Sequence, residues 1–153
     1  MKILLQRVRR ASVTVDSCIV GSIDAGLLLF VGIERGDDES TADAAAARVA
    51  TLRVFADEAG RMNLDILQAR GAALVVSQFT LAASVARGRR PSFDAAAPPD
   101  LARKLVDRLA VALARAGVPV ETGAFGANMA VELLNDGPVT FMLDMPGENI
   151  LKT

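Results

Sequence analysis

The apolar and polar positions of this chain fall into short alternating runs, one unbroken apolar run and two helical stripes. Ile3 to Val8 and Ala11 to Val15 alternate around Gln6, Arg7, Arg9, Ser12 and Thr14, which predicts two strands with Arg7, Arg9 and Arg10 near their junction. Cys18 to Ile23 predicts another short strand. Leu27 to Ile33 is apolar throughout between Gly26 and Gly36, the pattern of a central strand covered on both faces. Gly36-Asp37-Asp38-Glu39-Ser40 is a turn rich in N-cap residues, and the helix predicted after it places Ala42, Ala45, Ala46, Val49 and Leu52 on one face. Short strands at Val54-Phe55 and Met62 to Leu64 flank a turn at Asp57 to Gly60, and Ala73 to Val76 predicts a buried strand. Leu101, Leu105, Leu109 and Leu113 stripe a long helix that Pro98-Pro99-Asp100 opens, Gly117 closes and Pro119 keeps from resuming. A strand near Val120 to Thr122 leads past Gly123-Ala124-Phe125-Gly126 to a predicted final hairpin of Met129 to Leu134 and Val139 to Leu143.

Strands, a helix, strands, a long helix and strands, with no repeat and no linker, imply a mixed α/β fold: layered sheets with two helices packed on one side. Residues 1–145 read as one domain, and the Pro-, Gly- and charge-bearing stretch 146–153 as a loosely ordered tail.

Composition narrows the chemistry. Of the 153 residues 52% are hydrophobic but only 4% aromatic, so the core is built from Ala, Val, Leu and Ile. A net charge of −1 gives no global field for nucleic acid, and no DNA partner is expected. Lys2, Lys104 and Lys152 are the only lysines; the other cations are arginines, which suit bidentate phosphate contacts. A lone Cys18 allows no internal disulfide and no Cys-rich zinc site. No membrane-length apolar run and no signal-peptide pattern occur, so the expected location is the cytoplasm. The chain has no histidine. That removes Ser-His-Asp and Cys-His catalysis and His-based metal sites, and no metal or other cofactor is expected. Acid–base work would fall to carboxylates, Lys, Arg, hydroxyls, backbone groups or the substrate.

Three stretches carry candidate chemistry. Ser77-Gln78-Phe79-Thr80 follows a buried strand, a rigid place for polar groups; alternation would put Ser77 and Phe79 on one face, Gln78 and Thr80 on the other. Equally, its polar groups could serve loop backbone. Arg87, Arg89 and Arg90 lie in a loop with Gly88, Pro91 and Phe93, which reads either as a phosphate-holding loop or as a solvated charge run. Asn135-Asp136-Gly137-Pro138-Val139-Thr140 reads either as an ordinary hairpin turn or as a rigid device that aims backbone carbonyls. Gly123 and Gly126 share the spacing of the KH-domain clamp but precede a strand, so they read as a loop. There is no G-x-S-x-G, P-loop or H-E-x-x-H.

Together with Gln6-Arg7-Val8 and Ala11-Ser12-Val13-Thr14-Val15, the three stretches resemble the D-aminoacyl-tRNA deacylases, in order and spacing, from Met1 to about Met145. The resemblance implies that family's fold, a homodimer, aminoacyl-tRNA as partner, and an active site shared across the interface. It implies that Ser77, Gln78, Phe79 and Thr80 form the catalytic pocket wall. It implies a cis Gly137-Pro138 inserted into the partner's pocket to reject L-amino acids, with Arg7 bracing that element. Arg87, Arg89 and Arg90 would meet tRNA.

The reaction suits a chain without histidine. The ester joining an amino acid to the terminal adenosine of tRNA is activated, so positioning and oxyanion stabilisation go far. Backbone N–H groups near Phe79 and Thr80 could hold the oxyanion, with help from the ribose 2′-hydroxyl; Thr80 as a direct nucleophile is the rival. A binding module for tRNA or other RNA without hydrolytic activity is the alternative function. A carboxylate-dependent hydrolase is a third, and Asp57, Asp65, Asp136 and Asp144 are scattered along the chain.

Overall fold

In the computed structural model, which describes residues 1–86 and 89–145, the first two predicted strands are one. β1 (Lys2–Val15) runs unbroken through Arg9 and Arg10. Ile3 and Leu5 point into one core cluster; Val8, Ala11 and Val13 point into another. This change of parity falls where the pairing to the last strand slips, between Val8 and Arg10. The pattern read as a junction is therefore a bulge occupied by the exposed Arg9 and Arg10, and the ladder continues past it.

Along one edge, β1 pairs antiparallel with β3 (Gly26–Gly32) and then with β2 (Cys18–Ile23). Asp16 and Ser17, both at positive φ, make the tight turn between β1 and β2. A small separate hairpin is formed by β4 (Phe55–Ala56) and β5 (Met62–Leu64). Beyond β3 lie β6 (Ala72–Ser77) and β7 (Val120–Thr122), each parallel to its neighbour. Gly21 of β2 sits so close to β7 that a Cβ there would lie 2.5 Å from the Thr122 carbonyl oxygen, so the sheet curls until it is nearly closed.

The expected helices are α1 (Glu39–Thr51) and α2 (Pro99–Arg115). Asp38 caps α1 by accepting from the Thr41 N–H at 2.8 Å. Ala42, Ala45, Ala46 and Val49 of α1 and Leu105, Leu109 and Leu113 of α2 are buried together against Leu27, Leu29, Val31, Ala73 and Val75. The alternate residues Leu28, Leu74 and Val76 fill the second cluster, inside the curl of the sheet. β3 is thus covered on both faces, and both helices lie on one side, as the sequence pattern implied.

The predicted final hairpin does not form. Its two runs are halves of a single strand, β8 (Ala130–Asp144), which pairs antiparallel with β1 along the edge opposite β3. Gln6 faces Thr140 and Val8 faces Asn135, so Asp136, Gly137, Pro138 and Val139 have no ladder partner and bulge from the strand. Gly freedom next to a Pro serves a bulge as well as a chain reversal; the partner strand decides between them. The tail 146–153 and Arg87 lie outside the described residues.

Candidate active site

β6 ends at Ser77, and the chain turns at Gln78 into a 3-10 turn, Phe79–Ala82. The expected alternation of Ser77 and Phe79 against Gln78 and Thr80 does not hold, because it needs extended backbone. The turn is anchored from below: Gln78 N–H donates to the Val31 carbonyl at 2.8 Å, and Leu81 N–H donates to the Gln78 carbonyl at 3.2 Å. Gly32 permits this approach, since a Cβ there would lie 2.8 Å from Leu81 Cβ and 2.9 Å from the Gln78 oxygen. The first amides of any helical turn have no acceptor within it. Here those are the N–H groups of Phe79 and Thr80, and neither donates to another group among the described residues.

The turn forms one wall of a cavity of about 540 Å³. Ser77, Gln78 and Phe79 line it with Val31, Ile33 and Val76; the other wall is the start of α2, through Pro99, Ala102 and Val106, and the loop Phe125–Met129. Among the described residues, the polar side chains in the lining are Ser77, Gln78 and Asn128. The size is typical of a small-ligand site, which falls at about 300–1,000 Å³. Thr80 lies beside the cavity rather than in its lining, and its Oγ1 accepts from Gln78 Nε2 at 2.5 Å. A carboxamide is no base, so this contact does not activate the hydroxyl.

The displaced acidities lie elsewhere. Hydrogen bonding to the Thr41 backbone holds Asp38 below the usual carboxylate range, Lys104 does so for Glu39 and Arg108 for Asp43, all on or between the two helices. Among the described residues no group of His, Cys, Asp and Glu could hold a metal ion.

Gly137 and Pro138 do not line the cavity. Their peptide bond is cis. The bulge is clamped by side chains: Arg7 Nε donates to the Asp136 carbonyl at 3.2 Å and pairs with its carboxylate at 2.9 Å. Arg7 Nη1 also donates to the Val54 carbonyl, and Arg9 pairs with Asp136 at 3.3 Å. Asn135 Nδ2 donates to the carbonyls of Arg7 and Val139 at 3.0 and 3.3 Å. Arg7 is thus brought to the segment, whereas one chain does not bring Gly137 and Pro138 together with Ser77 to Thr80.

The basic loop is closed by a mutual pair of bonds between Ser84 and Ser92, at 2.8 and 2.9 Å. Arg89 and Arg90 are exposed on it. Phe93, just beyond, packs on Phe79 with ring centroids 5.0 Å apart, which sets the loop beside the cavity. The sequence reading missed the second wall. Its signal was present in Gly123-Ala-Phe-Gly126: a Cβ at Gly123 would lie 2.7 Å from Met129 Sδ, and Gly126 has φ +78°. Two glycines around one aromatic form a tight turn that presents Phe125 to the cavity.

Comparison with known proteins places this architecture in a class of hydrolases, the tRNA deacylases: residues 4–144 match the family described as D-Tyr-tRNA(Tyr) deacylase. The chain is 61% identical to a D-aminoacyl-tRNA deacylase of Thermomicrobium roseum over 94% of each chain, and 56% identical to one of Ruegeria pomeroyi over 95% of this chain and all of that one. A solved structure titled c-Myc DNA Unwinding Element Binding Protein superposes with a TM-score of 0.90 at 36% identity, covering 95% of this chain and 99% of the other. A second, titled as a probable eukaryotic D-amino acid tRNA deacylase, shares the fold with a TM-score of 0.80 at 17% identity, over 93% and 97%. This chain belongs to the D-aminoacyl-tRNA deacylase family.

Proposed function

We propose that this protein hydrolyses the ester of D-aminoacyl-tRNA, and of glycyl-tRNA, releasing the free amino acid and tRNA in the cytoplasm. The observation that carries the reading is the pair of unengaged N–H groups at Phe79 and Thr80, at the edge of an apolar cavity large enough for a terminal nucleoside. Water adds to the ester carbonyl carbon, its oxygen becomes an oxyanion, and these donors hold it. The intermediate then collapses, and the ribose 3′-oxygen leaves with a proton. The substrate's 2′-hydroxyl serves as the proton relay, since the Thr80 hydroxyl is bonded to the Gln78 carboxamide, which is no base. Ser77 and Gln78 orient the nucleoside, and Arg87, Arg89 and Arg90 meet the tRNA backbone.

The working unit is a homodimer. Gly137 and Pro138 do not line the cavity of their own chain but sit on β8, which among the described residues pairs on one side only, with β1, and exposes Leu134, Phe141 and Met142. An open apolar edge is a template for another strand. A second copy there would bring its Gly137-Pro138 carbonyls to this cavity, with Arg7 as the brace. Carbonyls beside the substrate Cα exclude an L side chain by contact and tolerate hydrogen, so D and glycyl esters pass.

Purified protein should deacylate D-aminoacyl- and glycyl-tRNA and spare L-alanyl-tRNA. If glycyl-tRNA is spared as strictly as the L form, the wall is not steric. Binding of RNA, or of the DNA element named in the neighbour's title, with no ester cleavage would leave a binding module instead. Among the described residues no helix is long and apolar enough to cross a membrane.

A further inference from the structure

One cation beside the cavity has no role in the reaction just described. Arg103 follows Ala102, a lining residue, on the first turns of α2. Its guanidinium carbon sits 4.6 Å from the centroid of the Phe125 ring, which also lines the cavity. The next cations on the helix are engaged: Lys104 pairs with Glu39 at 2.6 Å, and Arg108 with Glu39 and Asp43. Arg103 is exposed and forms no ion pair or hydrogen bond among the described residues. A cation over an aromatic face is held in place by the ring quadrupole, and that contact leaves N–H donors of the guanidinium open to another partner. Arg103 is therefore an exposed fork beside the cavity, steadied by Phe125 and without an ion-pair partner among the described residues.

We infer that Arg103 binds the phosphate attached to the 5′-oxygen of the nucleoside in this cavity, so that the site takes a nucleotide rather than a nucleoside. The inference rests on the deacylase reading for the identity of that nucleoside. A polynucleotide whose last residue enters the cavity must leave through the rim, and its first phosphodiester lies there. Guanidinium suits that group, with short charge-assisted bonds in a planar fork. A phosphate contact fixes register and orientation without reading sequence. Arg103 is thus a positioning residue: it sets the reach of the tRNA 3′ end, while Phe79 and Thr80 face the reacting carbonyl.

The test is a titration of the whole protein with adenosine and with adenosine 5′-monophosphate, for wild type, Arg103→Gln and Arg103→Lys. Wild type should bind the monophosphate about tenfold more tightly, from one or two bonds to a charged group. Arg103→Gln should erase that preference, and Arg103→Lys should recover part of it. In turnover, the ratio of kcat/KM for D-aminoacyl-tRNA over 3′-D-aminoacyl-adenosine should fall about tenfold in Arg103→Gln, through KM, and the salt dependence of tRNA binding should flatten by about one counterion. No preference for the monophosphate in wild type overturns the inference. So does an equal loss on both substrates, which would make Arg103 only a prop for Phe125. If wild type shows the preference but cleaves neither ester, the phosphate site stands and the deacylase reading fails.

Discussion

The turn after β6 and the bulge in β8 both interrupt a strand, and they are held by opposite means. The turn is rooted in the core: Val75 and Val76 are buried just before it, the Gln78 amide that leads into it bonds to the Val31 carbonyl of β3, and Gly32 lets the two backbones touch. The bulge stands on an edge strand with no ladder partner, and side chains from Arg7, Arg9 and Asn135 hold it. Backbone packing fixes atoms against a buried sheet, which suits donors that must not move as charge develops. Side-chain clamps can be lost one at a time without unfolding the sheet. The comparison therefore predicts that damage beneath the turn costs rate, and damage around the bulge costs selectivity.

The largest effect should come from Gly32→Val. Its Cβ would fall under 3.0 Å from both Leu81 Cβ and the Gln78 oxygen, so the turn must shift. A displacement of about 1 Å at a reacting group can cost roughly 100-fold in rate. Overpacking should cost about 1–3 kcal/mol of stability. Single-turnover deacylation and urea unfolding measure the two; a folded variant with wild-type rate would show that the turn is not the reacting surface.

Next is Arg7→Ala. It removes the bonds to Asp136 and Val54 together, each made by a charged donor. Bonds to charged groups contribute about 1.5–3 kcal/mol, so discrimination between D- and L-aminoacyl-tRNA should fall on the order of tenfold or more, with most D turnover kept. A loss of D turnover at constant discrimination would erase the distinction between the two regions.

A smaller effect is expected of Thr80→Ala. It deletes one neutral bond from Gln78, worth about 0.5–1.5 kcal/mol, and leaves the Phe79 and Thr80 amides in place. Deacylation should stay within about tenfold of wild type. A trapped acyl-Thr80, by mass spectrometry, would reverse the assignment of the hydroxyl.

The sequence disclosed the turn better than the bulge. An unbroken apolar run ending in polar residues marks a core strand whether or not its neighbours are known, so β3, β6 and the place of Ser77 to Thr80 were legible. Helical stripes with caps and stops gave α1 and α2 close to their true bounds. Asn135 to Thr140 was legible only as backbone freedom, because bulge and hairpin need the same residues and differ in what pairs with them. The parity change at Arg9 and Arg10 failed for the same reason. The second cavity wall was hidden because Ala102, Val106 and Phe125 are ordinary apolar positions until tertiary packing brings α2 and the loop together.

The smallest effect should be that of Arg108→Ala, which separates loss of stability from loss of either half of the site. Arg108 lies on α2, outside the cavity lining, and bridges to Glu39 and Asp43 of α1. Bonding to Lys104, and then the charge of Arg108, lowers Glu39 below its ordinary 4.5; bonding to Arg108 lowers Asp43 below its ordinary 3.8. A carboxylate whose folded pKa is depressed adds stability that is complete above its unfolded value and disappears as pH falls through the folded one. The stability gap between wild type and Arg108→Ala should therefore be steady near neutral pH. It should begin to close below about pH 4.5 and go on closing beneath 3.8. These groups are exposed, so the gap is small at any pH and shrinks with added salt. Urea unfolding at several acid pH values measures it. At neutral pH the variant should keep both its rate and its D-over-L discrimination, since neither the turn nor the bulge touches this bridge. A gap that widens on acidification would contradict the sign. A rate loss as large as that of Gly32→Val would mean that general loosening of the fold, rather than movement of the turn, explains the first prediction.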